Sequence, residues 1–345
     1  MRVVHLKSNA KILLIRTDRL GDVILSTPVA SAIKRVLPES HVTFLARRYT
    51  RDLLVHHHDI DDVLVEEDLG DGKTAIKKLS ESKFDVCIAL HPEQKWAWRT
   101  YRAGIPIRIG TVYRAFSVFY NHRVFEHRKH TNRHEVEHNL NLLKPLGIPF
   151  GKVTFRFELP ETLREKTRLL LKKKGWNRAQ PLIVLHPGSG GSAVNWPAAS
   201  FGQLAKELRD RNLTVAVTGV ASERELVDSV VRTAGTELLR LDNALNLLEL
   251  AAVLEQASVV VANSTGPLHL AVAMGTEVVG LYCPVPPCHP ERWGPYGRPD
   301  SVLVPQQVSC KTCGSKKCAK THCMERISVK AVLEKILEKL PKRIT

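Results

Sequence analysis

Residues 11–25 read KILLIRTDRLGDVIL, and this stretch predicts how the first half of the chain folds. Residues 12–15 form a short apolar run typical of a buried strand, and residues 17–21 follow it as a polar loop. A helix is expected over residues 22–36, with Pro38 ending it. A strand that leads through a loop into a helix begins a βαβ unit, so the stretch predicts a parallel sheet.

The same alternation continues along the chain and starts again after a charged helix at residues 161–174. Further strands are expected at residues 41–45, 63–65, 84–90, 182–185, 213–217, 258–261 and 278–282, and further helices at residues 201–211, 247–256, 267–274 and 329–340. This pattern predicts an α/β protein with two doubly wound, Rossmann-like domains. Ligands are expected in a cleft between them, at the carboxyl ends of the strands.

The length of 345 residues suits two domains. We expect the first over residues 1–155, a connecting segment over 156–180, and the second over 181–327. The last helix, within residues 328–345, would be able to fold back on the first domain.

The composition excludes a disordered or fibrous protein, since 43% of the residues are hydrophobic and 25% are charged. No apolar run approaches the ~18 residues that a membrane-spanning helix needs. The apolar run near the N-terminus is too short for the core of a signal peptide, so a cytoplasmic protein is expected.

The net charge of +16 is concentrated in two stretches. Residues 95–133 hold nine basic residues against one acidic residue, and residues 306–345 hold ten against three. Such concentrations point to an anionic partner, whether nucleic acid, acidic lipid or a phosphorylated substrate. The alternative is a solvated basic surface that keeps the protein soluble.

Three loops at strand ends carry residues suited to chemistry. In the first, residues 16–22, Asp22 is either a general base or a helix N-terminal carboxylate that the helix dipole favours. In the second, residues 186–192 (HPGSGGS), the glycines let backbone N–H groups approach an anion, unless the loop is merely flexible. This loop matches neither the Walker A nor the GxGxxG pattern.

The third loop, residues 262–269 (ANSTGPLH), leads into a helix with Pro267 near its first position. Free N–H groups at the helix start form an anion site, to which Ser264 and Thr265 can add hydroxyl donors. Ordinary capping by either hydroxyl would also explain these residues. His269 is equally suited to packing or to contact with a substrate.

Taken together, these loops resemble glycosyltransferase family 9, the bacterial lipopolysaccharide heptosyltransferases. The resemblance spans about residues 11–327. It rests on the order of four motifs, at residues 16–24, 186–190, 195–197 and 264–269, with further similarity at residues 103–110 and 135–140. It implies the GT-B architecture, in which the N-terminal domain binds the acceptor and the C-terminal domain binds the nucleotide-sugar donor.

The resemblance implies transfer of heptose from ADP-L-glycero-D-manno-heptose to Kdo-lipid A or to a heptosylated inner core, with inversion at the anomeric carbon. Asp22 matches the family's catalytic aspartate. The Gly188 loop and the helix start at Thr265 would hold the diphosphate without a metal ion, so no cofactor is expected for catalysis. The expected donor-binding residues are Thr17, Arg19, Gly21, Pro187, Gly188, Ser189, Asn195, Trp196, Ser264, Thr265, Gly266, Pro267 and His269.

The basic stretch over residues 95–133 also contains many aromatic residues, a combination that suits an anionic acceptor held in a membrane. Lys95, Arg99 and Arg108 are the acceptor-side candidates, although several of the aromatics could simply fill the core. A protein peripheral to the inner membrane is therefore expected. No nucleic-acid partner is expected, since no nucleic-acid-binding module is recognisable.

Two positions depart from the family's pattern. Val194 stands where many members carry Lys or Arg, and Ser264 where many carry Asp. Both changes remove a charge near the expected diphosphate, which leaves a different nucleotide sugar as an alternative donor. A basic nucleic-acid-binding protein is a further alternative.

The chain has seven cysteines, an odd number that argues against a disulfide framework. Four of them could hold a structural zinc ion: Cys310, Cys313, Cys318 and Cys323. An iron–sulfur cluster or reduced thiols are the alternatives. Cys87, Cys283 and Cys288 are interpreted as packing residues.

Overall fold

The structure is a computed structural model that describes residues 3–128, 133–149, 151–284, 288–306 and 322–340. The chain forms two compact units, one ending at Glu158 and the other beginning at Leu159. Each unit is built on a parallel six-stranded sheet, which confirms the expected α/β fold of two Rossmann-like domains. No helix of the described ranges is long and apolar enough to cross a bilayer.

The N-terminal sheet has the strand order β3-β2-β1-β4-β5-β6. Its strands are β1 (Lys11–Ile15), β2 (His41–Ala46), β3 (Asp62–Val65), β4 (Val86–Ala89), β5 (Ile107–Thr111) and β6 (His122–Val124). Its helices are α1 (Leu20–Ile24), α2 (Pro28–Val36), α3 (Arg48–Leu54), α4 (Gly72–Glu81), α5 (Gln94–Arg102) and α6 (Glu135–Asn141). Short 3-10 helices occupy Glu66–Asp68, Ala115–Phe119 and Lys144–Leu146.

The helix expected over residues 22–36 is in fact two helices, α1 and α2. Pro28 is the reason, because proline has no N–H to donate and its ring clashes with the carbonyl four residues earlier. It is tolerated at the first position of α2. The Thr27 hydroxyl donates to the Ile24 carbonyl at 2.9 Å. Asp22 therefore lies on a single short turn directly after the β1 loop.

The C-terminal sheet has the order β12-β11-β10-β7-β8-β9. Its strands are β7 (Leu182–His186), β8 (Thr214–Val217), β9 (Leu239–Arg240), β10 (Val259–Asn263), β11 (Glu277–Leu281) and β12 (Val302–Leu303). The helices of this unit are α7 (Glu161–Lys173), α8 (Ala198–Arg209), α9 (Arg224–Ala234), α10 (Leu247–Gln256), α11 (Gly266–Ala273), α12 (Pro290–Trp293) and α13 (Val329–Lys339). Short 3-10 helices occupy Ala221–Glu223, Pro299–Ser301 and Cys323–Arg326.

The packing of two further helices extends the C-terminal unit. Helix α7, expected within a connecting segment, packs on α10, and Arg164 forms two hydrogen bonds with Glu255, at 2.8 and 2.9 Å. Helix α13, expected to be able to return to the first domain, packs on α8 and β11 of the C-terminal unit. Its apolar face is buried in the core of that unit, because Val332, Leu333 and Ile336 recur at helical spacing.

The strand orders place one crevice in each unit. β1 lies between β2 and β4, and β7 lies between β10 and β8, so successive connections run in opposite directions from these central strands. In doubly wound sheets ligands bind at such points, beyond the carboxyl ends of the strands. All three loops singled out in the sequence follow β1, β7 or β10.

Candidate active site

Arg16, at the carboxyl end of β1, is the centre of the site in the N-terminal domain. Its side chain is almost fully buried and contacts three carboxylates. Nε donates to Asp18 at 2.7 Å, Nη2 to Asp22 at 2.6 Å, and Nη1 lies 3.2 Å from Glu135. A planar guanidinium suits this arrangement because its donors point in several fixed directions.

Helix α6 holds the other side of this network. The Asn139 amide oxygen accepts from Arg16 at 3.3 Å and from Arg128 at 2.8 Å, and its amide nitrogen donates to Ser26 at 3.1 Å. The Leu90 carbonyl, just after β4, also accepts from both arginines, at 3.1 and 2.7 Å. These partners of Arg16 are not evident from the sequence, although Glu135 and Asn139 are four residues apart and so share one helix face.

Asp22 is the carboxylate of this network best suited to act as a base. Its side chain is 18% exposed, so it is largely desolvated and still open to solvent. Burial raises the pKa of Asp22 to about 6, with the Arg16 cation lowering it and the charges of Asp18 and Glu135 raising it further. At pH 7 this carboxylate is mostly ionised and able to accept a proton.

The remaining residues of the first loop have mixed roles. The Thr17 hydroxyl donates to Glu93 and accepts from Trp96 Nε1 at 3.3 Å, which fixes the loop to α5. Arg19 is exposed at the start of α1, and Gly21 is buried within it. Their expected contact with the donor stays a prediction.

The three acceptor-side candidates are engaged within the domain. Lys95 forms ion pairs with Glu66 and Glu93. The guanidinium of Arg108 donates to the carbonyls of Phe119 and Ile105. Arg99 stacks over Trp96, 5.0 Å from the ring centroid. These contacts give the three cations structural roles, and their role toward an acceptor stays a prediction.

A cavity of about 300 Å³ lies at the carboxyl ends of β4 and β5. It shares Leu90 and Arg128 with the network around Arg16, the residue that holds Asp22. Its polar and charged lining residues include Thr111, Tyr113, Arg114, Glu126, His127 and Arg128. Arg114 and Arg128 at one cavity suit an anionic ligand. Both belong to the basic stretch at residues 95–133, but nothing in the sequence distinguishes them from its other cations.

In the C-terminal domain, Asn263 joins the donor-side motifs. It ends β10 and is fully buried. Its amide nitrogen donates to the Pro187 carbonyl at 2.7 Å, and its amide oxygen accepts from the Trp196 N–H at 2.8 Å. Ser192 also donates to the Ser264 carbonyl at 2.9 Å. The motifs that are far apart in sequence therefore meet at one edge of the sheet.

Glu223, at the start of α9, contacts the glycine-rich loop at residues 186–192. Its carboxylate accepts the N–H of Gly190 and the N–H of Val220, each at 3.2 Å. A Cβ built on Gly188 would come 1.9 Å from the Glu223 Oε1 atom, which explains why this position is glycine. The neighbouring His186 is hydrogen-bonded to Thr218, and burial lowers the pKa of its imidazole, so it is neutral at pH 7. Nothing in the sequence pattern singles out Glu223.

Helix α11 begins directly after Thr265. Thr265 is the N-cap residue, yet within the described part of the chain its side chain makes no capping hydrogen bond. Capping by the Thr265 hydroxyl is therefore not what the structure shows. Gly266 and Pro267 form the first turn, while Ser264, Thr265 and His269 are at most 9% exposed.

Trp196, expected to contact the donor, is fully buried. Its indole N–H donates to the Ile327 carbonyl at 2.9 Å, and its ring packs edge-on against Phe201. The side chain therefore belongs to the core, because an indole buries a large apolar area once its N–H has a partner. Ser189 is also buried and donates to the Ala193 carbonyl at 3.1 Å. The neighbouring Asn195 Oδ1 is buried without a hydrogen-bond partner among the described residues.

The cysteine cluster is described only in part. Cys310, Cys313 and Cys318 lie outside the described residues, while Cys323 is buried in the C-terminal core. Among the residues that the structure does describe, no group of three or more His, Cys, Asp or Glu side chains could hold a metal ion. Structural zinc stays a prediction. Cys87, Cys283 and Cys288 are buried.

Comparison with known proteins shows what class of protein carries this fold and these motifs. The profile of glycosyltransferase family 9 (heptosyltransferase) matches residues 73–324. A Haemophilus influenzae protein described as a glycosyltransferase is 27% identical over 305 residues, covering 85% of this chain and 88% of the relative. Lipopolysaccharide heptosyltransferase 3 of Escherichia coli is 25% identical over 281 residues, covering 76% of this chain and 79% of the relative.

Among solved structures, the ADP-heptose lipopolysaccharide heptosyltransferase II of E. coli has the same fold. The TM-score is 0.78 at 21% identity, over 95% of this chain and 98% of that one. The chain is thus a glycosyltransferase. It belongs to glycosyltransferase family 9, since the family profile matches more than half of its length.

Proposed function

We propose that this protein transfers heptose from ADP-L-glycero-D-manno-heptose to the Kdo or heptose residues of the lipopolysaccharide inner core, with inversion. The observation that carries the proposal is the Asp22 carboxylate, held at 2.6 Å by buried Arg16 at the carboxyl end of β1 and still partly exposed. The heptosyltransferase relatives and the ADP-heptose named for the E. coli structure support the choice of sugar and nucleotide.

In the proposed step Asp22 accepts the proton of the acceptor hydroxyl as its oxygen attacks the anomeric carbon. The bond between that carbon and the diphosphate oxygen breaks, and ADP leaves with the electron pair. Attack from the face opposite the diphosphate inverts the anomeric centre. The amides of the Gly188 loop and the helix start at Thr265 stabilise the diphosphate charge, and we propose no cofactor for the step.

This assignment makes the reaction depend on pH. Because Asp22 acts as a base and its pKa is raised to about 6, kcat/KM is expected to be constant above pH 7 and to fall as the pH drops through 6. An aspartate with an ordinary pKa would keep the rate nearly constant down to about pH 5. A pH series of initial rates checks this, and an unchanged kcat/KM at pH 5 contradicts the assignment of Asp22.

On the donor side, Glu223 is the residue proposed to bind the ribose. A carboxylate beyond the second strand of a nucleotide-binding fold accepts hydrogen bonds from ribose hydroxyls, and Glu223 lies six residues after β8 ends. Its contacts with Gly190 and Val220 already orient the carboxylate.

Substitution of Gly188 tests this donor side. Gly188→Ala would push the added methyl group into the Glu223 carboxylate, so ADP is expected to bind about tenfold more weakly. Isothermal titration with ADP measures the effect. Gly72→Ala is the matched control, because its Cβ would meet only Arg99, at 3.9 Å. Equal ADP affinity in the Gly188→Ala variant and the wild type would remove Glu223 and its loop from the donor site.

On the acceptor side, we propose that the cavity beside Arg114 and Arg128 binds the acidic sugar. Kdo carries a carboxylate, and arginine forms paired hydrogen bonds with carboxylates. The protein would act as a peripheral protein at the inner-membrane surface, where the acceptor's lipid A is anchored. Arg114→Gln is expected to raise KM for the acceptor and to leave KM for the donor unchanged.

A second donor has specific support. Val194 packs against the C-terminal core, so this position supplies no cation to a sugar diphosphate, and Ser264 supplies no carboxylate. A different nucleotide sugar is therefore the second candidate substrate.

One experiment separates the two candidates. The purified protein is mixed with Kdo2-lipid A and, in parallel, with ADP-heptose, ADP-glucose or UDP-glucose, and both glycolipid product and released nucleotide are measured. Transfer from ADP-heptose alone supports the proposal. Transfer only from another donor supports the second candidate, and no transfer from any donor rejects both.

A further inference from the structure

The N-terminal domain carries an exposed aromatic surface on helix α5 and the 3-10 helix Ala115–Phe119, which pack on each other. Trp98 and Tyr101 lie 5.1 and 5.4 Å from Phe119 between ring centroids, so the three rings form one cluster. Trp98 is 41% exposed, Tyr101 47% and the adjacent Val118 68%. Clustered exposure of large apolar side chains marks an interaction surface.

Cations lie directly on this cluster. The guanidinium of Arg102 stacks over Trp98, and that of Arg108 over Tyr101, each 5.4 Å from the ring centroid. From Gln94 to Phe125 the sequence has six basic residues and no acidic residue. Lys95 is paired with Glu66 and Glu93, whereas Arg102 and Arg108 form no ion pair within the described residues. The surface therefore combines aromatic rings with the positive charge of these two arginines.

We propose that this aromatic surface, formed by Trp98, Tyr101, Val118 and Phe119 with Arg102 and Arg108, docks the protein onto an anionic phospholipid surface. Indole and phenol rings favour the boundary between headgroups and acyl chains. Basic side chains are attracted by anionic headgroups. The charge complementarity selects a lipid surface over a second copy of this chain, because two copies would bring like charges together. This docking proposal rests on the proposed function in one respect: an acceptor anchored in the membrane requires the enzyme to be at the bilayer.

The test measures binding of the full-length protein to sedimented vesicles of phosphatidylcholine, with and without phosphatidylglycerol. Wild type is expected to bind the anionic vesicles and to bind the neutral vesicles only weakly. Binding to the anionic vesicles is expected to fall as the salt concentration rises. The double variant Val118→Ser/Arg102→Gln is expected to partition about tenfold less. One basic side chain near an anionic surface contributes about fivefold, and the apolar side chain adds to it.

The matched control is Leu169→Ser/Lys172→Gln on α7, which likewise removes one exposed apolar side chain and one exposed cation. It is expected to bind as wild type does. Any of three results would overturn the proposal. The two double variants could lose vesicle binding equally, or wild type could bind neutral and anionic vesicles equally. Wild type could also form a dimer that the Val118→Ser/Arg102→Gln variant abolishes.

These vesicles contain no sugar acceptor, so binding is measured independently of transfer. With a water-soluble Kdo acceptor, the Val118→Ser/Arg102→Gln variant is expected to transfer at the wild-type rate. If wild type binds vesicles and transfers nothing, the proposed function fails and the docking surface stands. If wild type transfers to the soluble acceptor and binds no vesicles, the docking surface fails and the function stands.

Discussion

Replacing Asp22 by Asn is expected to lower kcat by about 10²–10⁴-fold while the affinity for ADP stays at its wild-type value. The amide has nearly the same shape and can still accept from Arg16, which donates to this position at 2.6 Å. What it lacks is the capacity to take the proton of the acceptor hydroxyl. Single-turnover rates with saturating donor measure the chemical step, and calorimetry measures ADP binding.

A matched substitution at Asp52 tests whether removing any carboxylate of this domain lowers kcat. Asp52 lies on α3 with its side chain 68% exposed and forms an ion pair with Arg51, at 3.3 Å. Asp52→Asn is expected to leave kcat unchanged. If Asp22→Asn keeps more than a tenth of the wild-type rate, the base is another group and the proposed mechanism is wrong.

Replacing Arg16 by Leu is expected to destabilise the N-terminal domain by about 3–5 kcal/mol, which corresponds to a fall in Tm of about 10 °C. Arg16 is the cation that Asp18, Asp22 and the fully buried Glu135 share. Without it, Asp22 loses its compensating charge, and the fully buried Glu135 loses one of its cations while Arg128, 3.4 Å away, remains. Thermal unfolding followed by circular dichroism measures the change.

The pH dependence of this deficit has a definite sign. Loss of Arg16 removes the influence that lowers the pKa of Asp22, so the pKa rises above about 6 and the carboxyl takes up a proton more easily. The deficit in the free energy of unfolding is therefore expected to be smaller at pH 5.5 than at pH 8. Arg48→Leu is the control, because Arg48 is mostly exposed in its pair with Asp68 and should cost less than about 1 kcal/mol. An equal loss in both variants would contradict the central role of Arg16.

The fold was predictable because its signals are local. Apolar runs bounded by loops gave the order of strands and helices, and helix α10 was predicted with the bounds that the structure shows, Leu247–Gln256. The break between α1 and α2 was missed, since the apolar periodicity runs through Pro28 and hides the interruption. The loops at the ends of β7 and β10 were located correctly, because their glycine and hydroxyl residues stand directly after apolar strands.

The sequence by itself determined the two α/β domains and their family, because strand and helix periodicity and short motifs depend on neighbouring residues. It also singled out Asp22, whose role as a base stays a prediction. Only the tertiary structure decided what surrounds them. Glu135 is 119 positions from Arg16, and Glu223 is 33 from Gly190, so their contacts depend on the path of the whole chain. The burial of Trp196 and the cavity beside Arg114 have the same origin, since which side chains become enclosed is set by packing between distant elements.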